Sequence, residues 1–252
     1  MKKDQFITGR QGDGAAQVFS GVSENSTIEK MYGESASYFA KIIKSILKPR
    51  ELPYEILDVG TFRGELLGKV ILELGDKYHF HKVGIDLEKE ALDNNDNLDE
   101  KVLGDATHMP FSNKTIDVAL CRYVLQWNNF ERQKLILAEL QRVCRGFAIV
   151  QHAGADNENT DEWKEKVHSL VFGGVPKVSR PQGNFSSSFE IESWMKEIDL
   201  NFIKLQDRRL DNLSSIFAEK YKLTEEESAK TSKILGDKNY IQQTTWIIGE
   251  GI

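Results

Sequence analysis

From Tyr54 onward, short strand-like runs alternate with stripes of apolar residues at helical spacing, and this alternation restricts the chain to a sheet covered by helices. The first run, Tyr54-Glu55-Ile56-Leu57-Asp58-Val59, stops at Gly60. Leu67, Val70, Ile71 and Leu74 follow at the i, i+3, i+4, i+7 spacing of one helix face, which Gly75 ends. Residues 82–86 read as a second strand. A short helical stretch and an acidic loop around 93–99 lead to a third at 101–105. Residues 116–121 are almost continuously apolar, as a strand covered on both faces must be. Asn128 and Glu131 are placed to cap a helix with Ile136, Leu140 and Val143 as its inner stripe, Gly146 closes it, and residues 147–150 supply a fifth strand. Five strands separated by helices predict a parallel α/β sheet, with ligands at the carboxyl ends of its strands.

The flanks are less regular. Residues 1–24 are polar and aperiodic and read as a mobile arm. Ser26-Thr27-Ile28-Glu29 has capping-box spacing, and Phe39, Ile42, Ile43 and Ile46 run up to Pro49, so one or two helices bearing Tyr32 and Tyr38 precede the sheet. Residues 1–50 are thus an arm and helical cap, and 51–252 a single domain with an insertion at about 154–186. A connection that long in a compact domain carries function. Beyond it, Ser187 and Glu190 start a helix, 202–205 form a strand, Thr224 and Glu227 start another helix, and 244–248 form a last strand.

A net charge of −6, with both signs mixed along the chain, offers no basic face for a phosphate backbone, so no nucleic-acid partner is expected. No apolar run approaches the roughly 20 residues that span a bilayer, so neither a membrane partner nor a signal peptide is expected, and a cytoplasmic location is. The two cysteines, Cys121 and Cys144, lie in apolar or helical patterns and read as core residues.

Asp58-Val59-Gly60-Thr61-Phe62-Arg63-Gly64 joins the first strand to its helix, a turn where backbone N–H groups can approach a ligand. Phe62 and Glu65 occupy the second and third glycine positions of a dinucleotide fingerprint, which disfavours NAD or FAD. Asp86 ends the second strand, where it serves a ribose diol or caps the segment starting Leu87-Glu88. Asp105 follows the third strand and is placed to accept from an exocyclic amine, with small Ala106 leaving room for a ring.

Together these residues resemble the class I S-adenosylmethionine-dependent methyltransferases, particularly the small-molecule group that includes ubiquinone-biosynthesis and sterol C-methyltransferases. The family's first loop, D/E-x-G-x-G-x-G, matches Asp58, Gly60 and Gly64, with Phe62 at the central glycine; its acidic end of strand two matches Asp86. Its G-D-A-x-x-x-P-F stretch matches Gly104-Asp105-Ala106 and, with one extra residue, Pro110-Phe111. Arg145-Gly146 stands where the family has Pro-Gly-Gly.

The resemblance implies a Rossmann-like seven-stranded sheet with helices on both faces, an N-terminal helical lid and an insertion after strand five. It implies S-adenosylmethionine as cofactor, S-adenosylhomocysteine as product, and a small-molecule acceptor methylated on oxygen, nitrogen or carbon by in-line displacement. Cofactor contacts are then expected from Asp58, Gly60, Thr61, Phe62, Gly64, Asp86, Leu87, Asp105, Ala106, Cys121 and Arg122. Catalytic candidates are Arg122, Tyr123 and His152, the last as general base because an imidazole takes a proton near neutral pH. No metal is expected, since no ligand spacing is present. The rival reading is a non-catalytic or regulatory protein of the same fold that binds S-adenosylmethionine or S-adenosylhomocysteine.

Overall fold

The computed structural model describes residues 27–154, 186–211, 214–215, 218, 224–238 and 240–250. The arm at 1–24 and residues 155–185 of the insertion lie outside the described residues. In chain order the elements are α1 Thr27–Ile46, β1 Tyr54–Val59, α2 Glu65–Leu74, β2 Phe80–Asp86, α3 Lys89–Asp93, β3 Glu100–Leu103, β4 Ile116–Arg122, α4 Phe130–Val143, β5 Cys144–Gly154, α5 Ser188–Glu197, β6 Phe202–Asp211, α6 Glu225–Leu235 and β7 Tyr240–Gly249.

They build one seven-stranded sheet in the order β3-β2-β1-β4-β5-β7-β6. Pairing is parallel from β3 through to β5, whereas β7 runs antiparallel to both of its neighbours. The chain moves from β1 outward to β2 and β3, then crosses back to β4 on the other side. The ends of β1 and β4 therefore flank the switch point, where open α/β sheets leave a crevice.

Strand alternation sends side chains to two cores. Ile56, Leu120, Phe147 and Ile149 meet Leu67 and Val70 of α2 and Phe39 and Ile43 of α1. Val59, Cys121, Val150 and Trp246 meet Ile136 and Leu140 of α4 and Ile191 and Met195 of α5. Among the described residues one long helix precedes the sheet: Ala36, Phe39, Ala40 and Ile43 form its buried stripe, and Ile46 is exposed. No helix among the described residues is long and apolar enough to cross a membrane.

Two local expectations need correction. The cap of α4 is Asn129, whose side chain accepts from the Arg132 amide; Asn128 instead donates to the Val124 carbonyl. Gly146 does not close α4, because β5 already starts at Cys144. A Cβ on Gly146 would lie 2.1 Å from the Asp117 carbonyl oxygen, so this glycine serves close strand contact at a register shift between β4 and β5. The capping box expected at Ser187 and Glu190 is present and starts α5.

Candidate active site

The turn after β1 follows from three positive backbone angles. Gly60 and Gly64 take φ of 67° and 73°, and Phe62, between them, takes 50°. The Gly60 amide donates to the Ile85 carbonyl at 2.9 Å, pinning the turn to β2. A Cβ on Gly60 would come within 2.6 Å of Val124 Cγ2, and one on Gly64 within 2.3 Å of Asn95 Oδ1, so neither position has room for a side chain. Two carboxylates brace the loop. Thr61 Oγ1 donates to Asp58 Oδ2 at 2.8 Å, and the Phe62 amide donates to Asp86 Oδ2 at 2.8 Å. The other Asp86 oxygen accepts from the Glu88 amide at 3.0 Å. Burial pushes the Asp58 carboxyl up to about 7 despite the Thr61 bond, so its charge is poised near neutral pH.

Asn95 was not visible as a site residue in the sequence. It is fully buried, with its Nδ2 3.3 Å from Thr61 Oγ1 and 3.4 Å from the Phe62 carbonyl, and it holds the loop from below. Its only sequence signal is its place in an Asn- and Asp-rich stretch that also reads as an ordinary loop.

Beside this loop, Leu87 is 44% exposed at the end of β2, and Ala106 is partly exposed beyond β3. Asp105 is not free: Arg132 reaches both of its oxygens at 2.8 and 2.9 Å, and the Thr107 amide donates to Oδ1 at 2.9 Å. Burial opposes ionisation of Asp105, but these bonds outweigh it and hold the carboxyl below its usual value. Arg132 is a second residue missed, in the first turn of α4 with no motif around it.

At the end of β4, Cys121 is buried beside Val59, its register partner, and burial pushes its thiol up, away from thiolate chemistry. Arg122 Nε lies 3.1 Å from both Ser35 Oγ and Gln151 Oε1. Tyr123 takes a φ of 57°, its amide donates to the Gln151 carbonyl, and its hydroxyl accepts from Gln243 of β7.

His152 lies inside β5, not beyond its end, and is 1% exposed. Its Nε2 is 2.9 Å from the Ser186 carbonyl oxygen, which can only accept, so Nε2 carries the proton and Nδ1 the lone pair. Among the described residues Nδ1 has no hydrogen-bond partner. Burial lowers the imidazole to about 4, so it is neutral at pH 7 and a weak base. Among the described residues no group of three or more His, Cys, Asp or Glu could hold a metal ion.

The candidate residues therefore line the carboxyl edge of the sheet in one row: Asp105 and Ala106 after β3, Asp86 and Leu87 at β2, residues 58–64 at β1, Cys121, Arg122 and Tyr123 at β4, and His152 in β5. Residues 57–149 match the family model of a methyltransferase domain. No curated protein matches the chain. Among solved structures, the YcgJ protein of Bacillus subtilis is similar at 16% identity and a TM-score of 0.62, over 86% of this chain and 98% of that one. Geranyl diphosphate C-methyltransferase of Streptomyces coelicolor A3(2), solved with Mg2+, geranyl diphosphate and S-adenosylhomocysteine, is similar at 12% identity and a TM-score of 0.58, over 97% of this chain and 89% of that one. A geranyl diphosphate methyltransferase solved with S-adenosylmethionine is similar at 13% identity and a TM-score of 0.57, over 97% and 94%. At such identities the likeness is one of fold.

Proposed function

We propose that this chain, a methyltransferase with S-adenosylmethionine as its methyl donor, acts by in-line transfer to an oxygen, nitrogen or carbon nucleophile of a small-molecule acceptor. The observation that carries this reading is the row of groups at the switch point: the exposed backbone of Gly60, the buried Asp86 beside it, and Leu87, Ala106 and Asp105 alongside. The positive backbone angles at Gly60, Phe62 and Gly64 turn the chain sharply at the end of β1, and the exposed Gly60 offers backbone without a side chain to a ligand there.

The cofactor, when bound, supplies a methyl group already activated on a sulfonium and leaves as S-adenosylhomocysteine. The protein therefore has to bind, orient and exclude water more than to create a strong nucleophile. Asp86 keeps lone pairs beyond those used by the Phe62 and Glu88 amides, and these take the ribose hydroxyls. Thr61, Phe62 and Gly64 shape the loop, Leu87 and Ala106 flank the adenine, and Asp105, fixed by Arg132, accepts from its amine. Asp58 is suited to a cation, since a positive neighbour favours its ionised form. Cys121 gives an apolar floor, while Arg122 and Tyr123 stand on the acceptor side. His152 is too deeply buried to meet the acceptor directly and, titrating at about 4, is poorly matched to remove a proton at pH 7. The finer likeness to ubiquinone-biosynthesis and sterol C-methyltransferases is supported by the stretch Gly104-Asp105-Ala106 with Pro110-Phe111. A small acceptor also suits the geranyl diphosphate methyltransferases that share this fold.

The test is isothermal titration of the full chain with S-adenosylmethionine and S-adenosylhomocysteine, with NAD as control. Both adenosyl compounds bind and NAD does not. Asp86→Ala weakens binding by roughly 1–3 kcal/mol through loss of charge-assisted hydrogen bonds. A wild type that binds neither compound rejects the reading, and an unchanged Asp86→Ala affinity rejects the ribose assignment alone.

A further inference from the structure

Arg122 is held more firmly than an arginine at a strand end requires. Its Nε donates to Gln151 Oε1 and Ser35 Oγ, both at 3.1 Å, and its guanidinium carbon lies 4.5 Å from the Tyr32 ring centroid and 4.1 Å from that of Tyr123. The holders are themselves held. Ser35 Oγ donates to Gln151 Oε1 at 3.0 Å, Gln151 Nε2 donates to Thr245 Oγ1 at 3.2 Å, and the Tyr123 hydroxyl accepts from Gln243. Four elements, α1, β4, β5 and β7, thus converge on one half-buried cation.

All of these hydrogen bonds use Nε. Among the described residues the two terminal nitrogens of Arg122 have no hydrogen-bond partner and no carboxylate within ion-pair distance. Arg132, Arg142 and Arg145 are each paired with an aspartate or glutamate. Asp58 and Arg122 influence one another only at a distance, as the smallest of the effects on the Asp58 carboxyl. A guanidinium already immobilised by its inner edge gives up little further freedom when its outer edge takes a planar, two-oxygen anion.

Building on the methyl-transfer reading above, we propose that Arg122 binds a carboxylate of the acceptor that is not itself the methylated group, so that acceptor and product are both carboxylic acids. The acceptor supplies this carboxylate, not the amino-acid end of the cofactor, because Gln151 of β5 and, behind it, Thr245 and Gln243 of β7 hold Arg122 from the side of β4 opposite to β1. A carboxylate fits better than a diphosphate because a single unpaired guanidinium is present among the described residues of this cluster. The next cation, Arg208, is already paired with Glu34.

The experiment incubates the full chain with methyl-labelled S-adenosylmethionine and an extract of small metabolites, then treats the isolated labelled product with a carbodiimide and aniline. A carboxylic acid gives the anilide, identified by its mass; a labelled product that forms none overturns the proposal. With that acceptor in hand, Arg122→Gln raises its KM roughly 30-fold, Arg122→Lys recovers part of the loss, and the affinity for S-adenosylhomocysteine changes by less than about threefold. If Arg122→Gln instead weakens S-adenosylhomocysteine and leaves its descarboxy analogue, S-adenosyl-3-thiopropylamine, unaffected, the carboxylate belongs to the cofactor and the proposal falls. Failure to transfer label to anything removes the methyl-transfer reading itself, a result distinct from transfer to a neutral product.

Discussion

Phe62 occupies a backbone conformation that a glycine adopts at no steric cost, and a side chain with a Cβ pays about 1–2 kcal/mol to be there. The cost is tolerated because its amide is bonded to Asp86 and its ring is buried. Replacing Phe62 by Ala and by Gly separates the two effects. Both lose the buried ring, but the glycine variant unfolds at the higher temperature, with a stability advantage of about 1 kcal/mol, and equal melting of the two would place the strain elsewhere. Asp58 leads to a prediction in pH. Its carboxyl titrates at about 7 in the folded chain against 3.8 when unperturbed. Between those values the folded state holds a proton that the unfolded state has lost, so stability falls as pH rises through that window, by at most ~1.4 kcal/mol per unit. Asp58→Asn removes this slope. Denaturant titrations should show the variant gaining on the wild type from pH 4 to pH 7 and holding that lead above it; a difference that does not vary with pH would mean that Asp58 is ionised throughout.

At the scale of elements, Gly146 shows what periodicity can and cannot give. A glycine after an amphipathic stripe reads as a helix stop, yet here it sits in β5 because the Asp117 carbonyl leaves no space for a Cβ. Gly146→Ala should therefore cost about 1–3 kcal/mol in chemical denaturation by forcing β4 and β5 apart; a variant as stable as wild type would return the residue to the role of a simple stop. Asp117, the other half of that contact, is clamped by Arg145 at 2.7 Å on each oxygen and by Arg50 at 2.9 Å, which fixes the start of β4. The strands and most helices were legible because burial on both faces imposes an apolar run and burial on one face imposes a stripe. The positions of residues 58–64, Asp86 and Asp105 at strand ends were legible because each lies where a strand-like apolar run stops. Asn95 and Arg132 were not, since each acts through a partner about 30 residues away and carries no local pattern. His152 was legible as a residue but not as a chemistry: only burial reveals its weak basicity.

At the scale of the whole molecule, a ligand that binds only the folded chain stabilises all of it. S-adenosylhomocysteine at a hundred times its dissociation constant adds about 2.7 kcal/mol, which for a chain of this size raises Tm by roughly 5–10 °C in differential scanning calorimetry. A Tm that ignores the ligand would show that the site at the carboxyl edge does not take it. The reversed strand β7 bears on the same edge. Because it runs against β5, its early residues Gln243, Thr244 and Thr245 lie beside Ala153, His152 and Gln151, so residues far along the chain reach Tyr123 and Gln151. The strand's existence could be read from its apolar run; its direction, and hence which of its ends meets the site, could not.

The place of β7 in the strand order also sets an order of assembly on the ribosome. Synthesis delivers β6 before β7, but in the sheet β7 lies between β6 and β5. The nascent β6 therefore has no neighbour to join when it emerges, and the half-made protein carries an unmatched ribbon that only the next strand can dock.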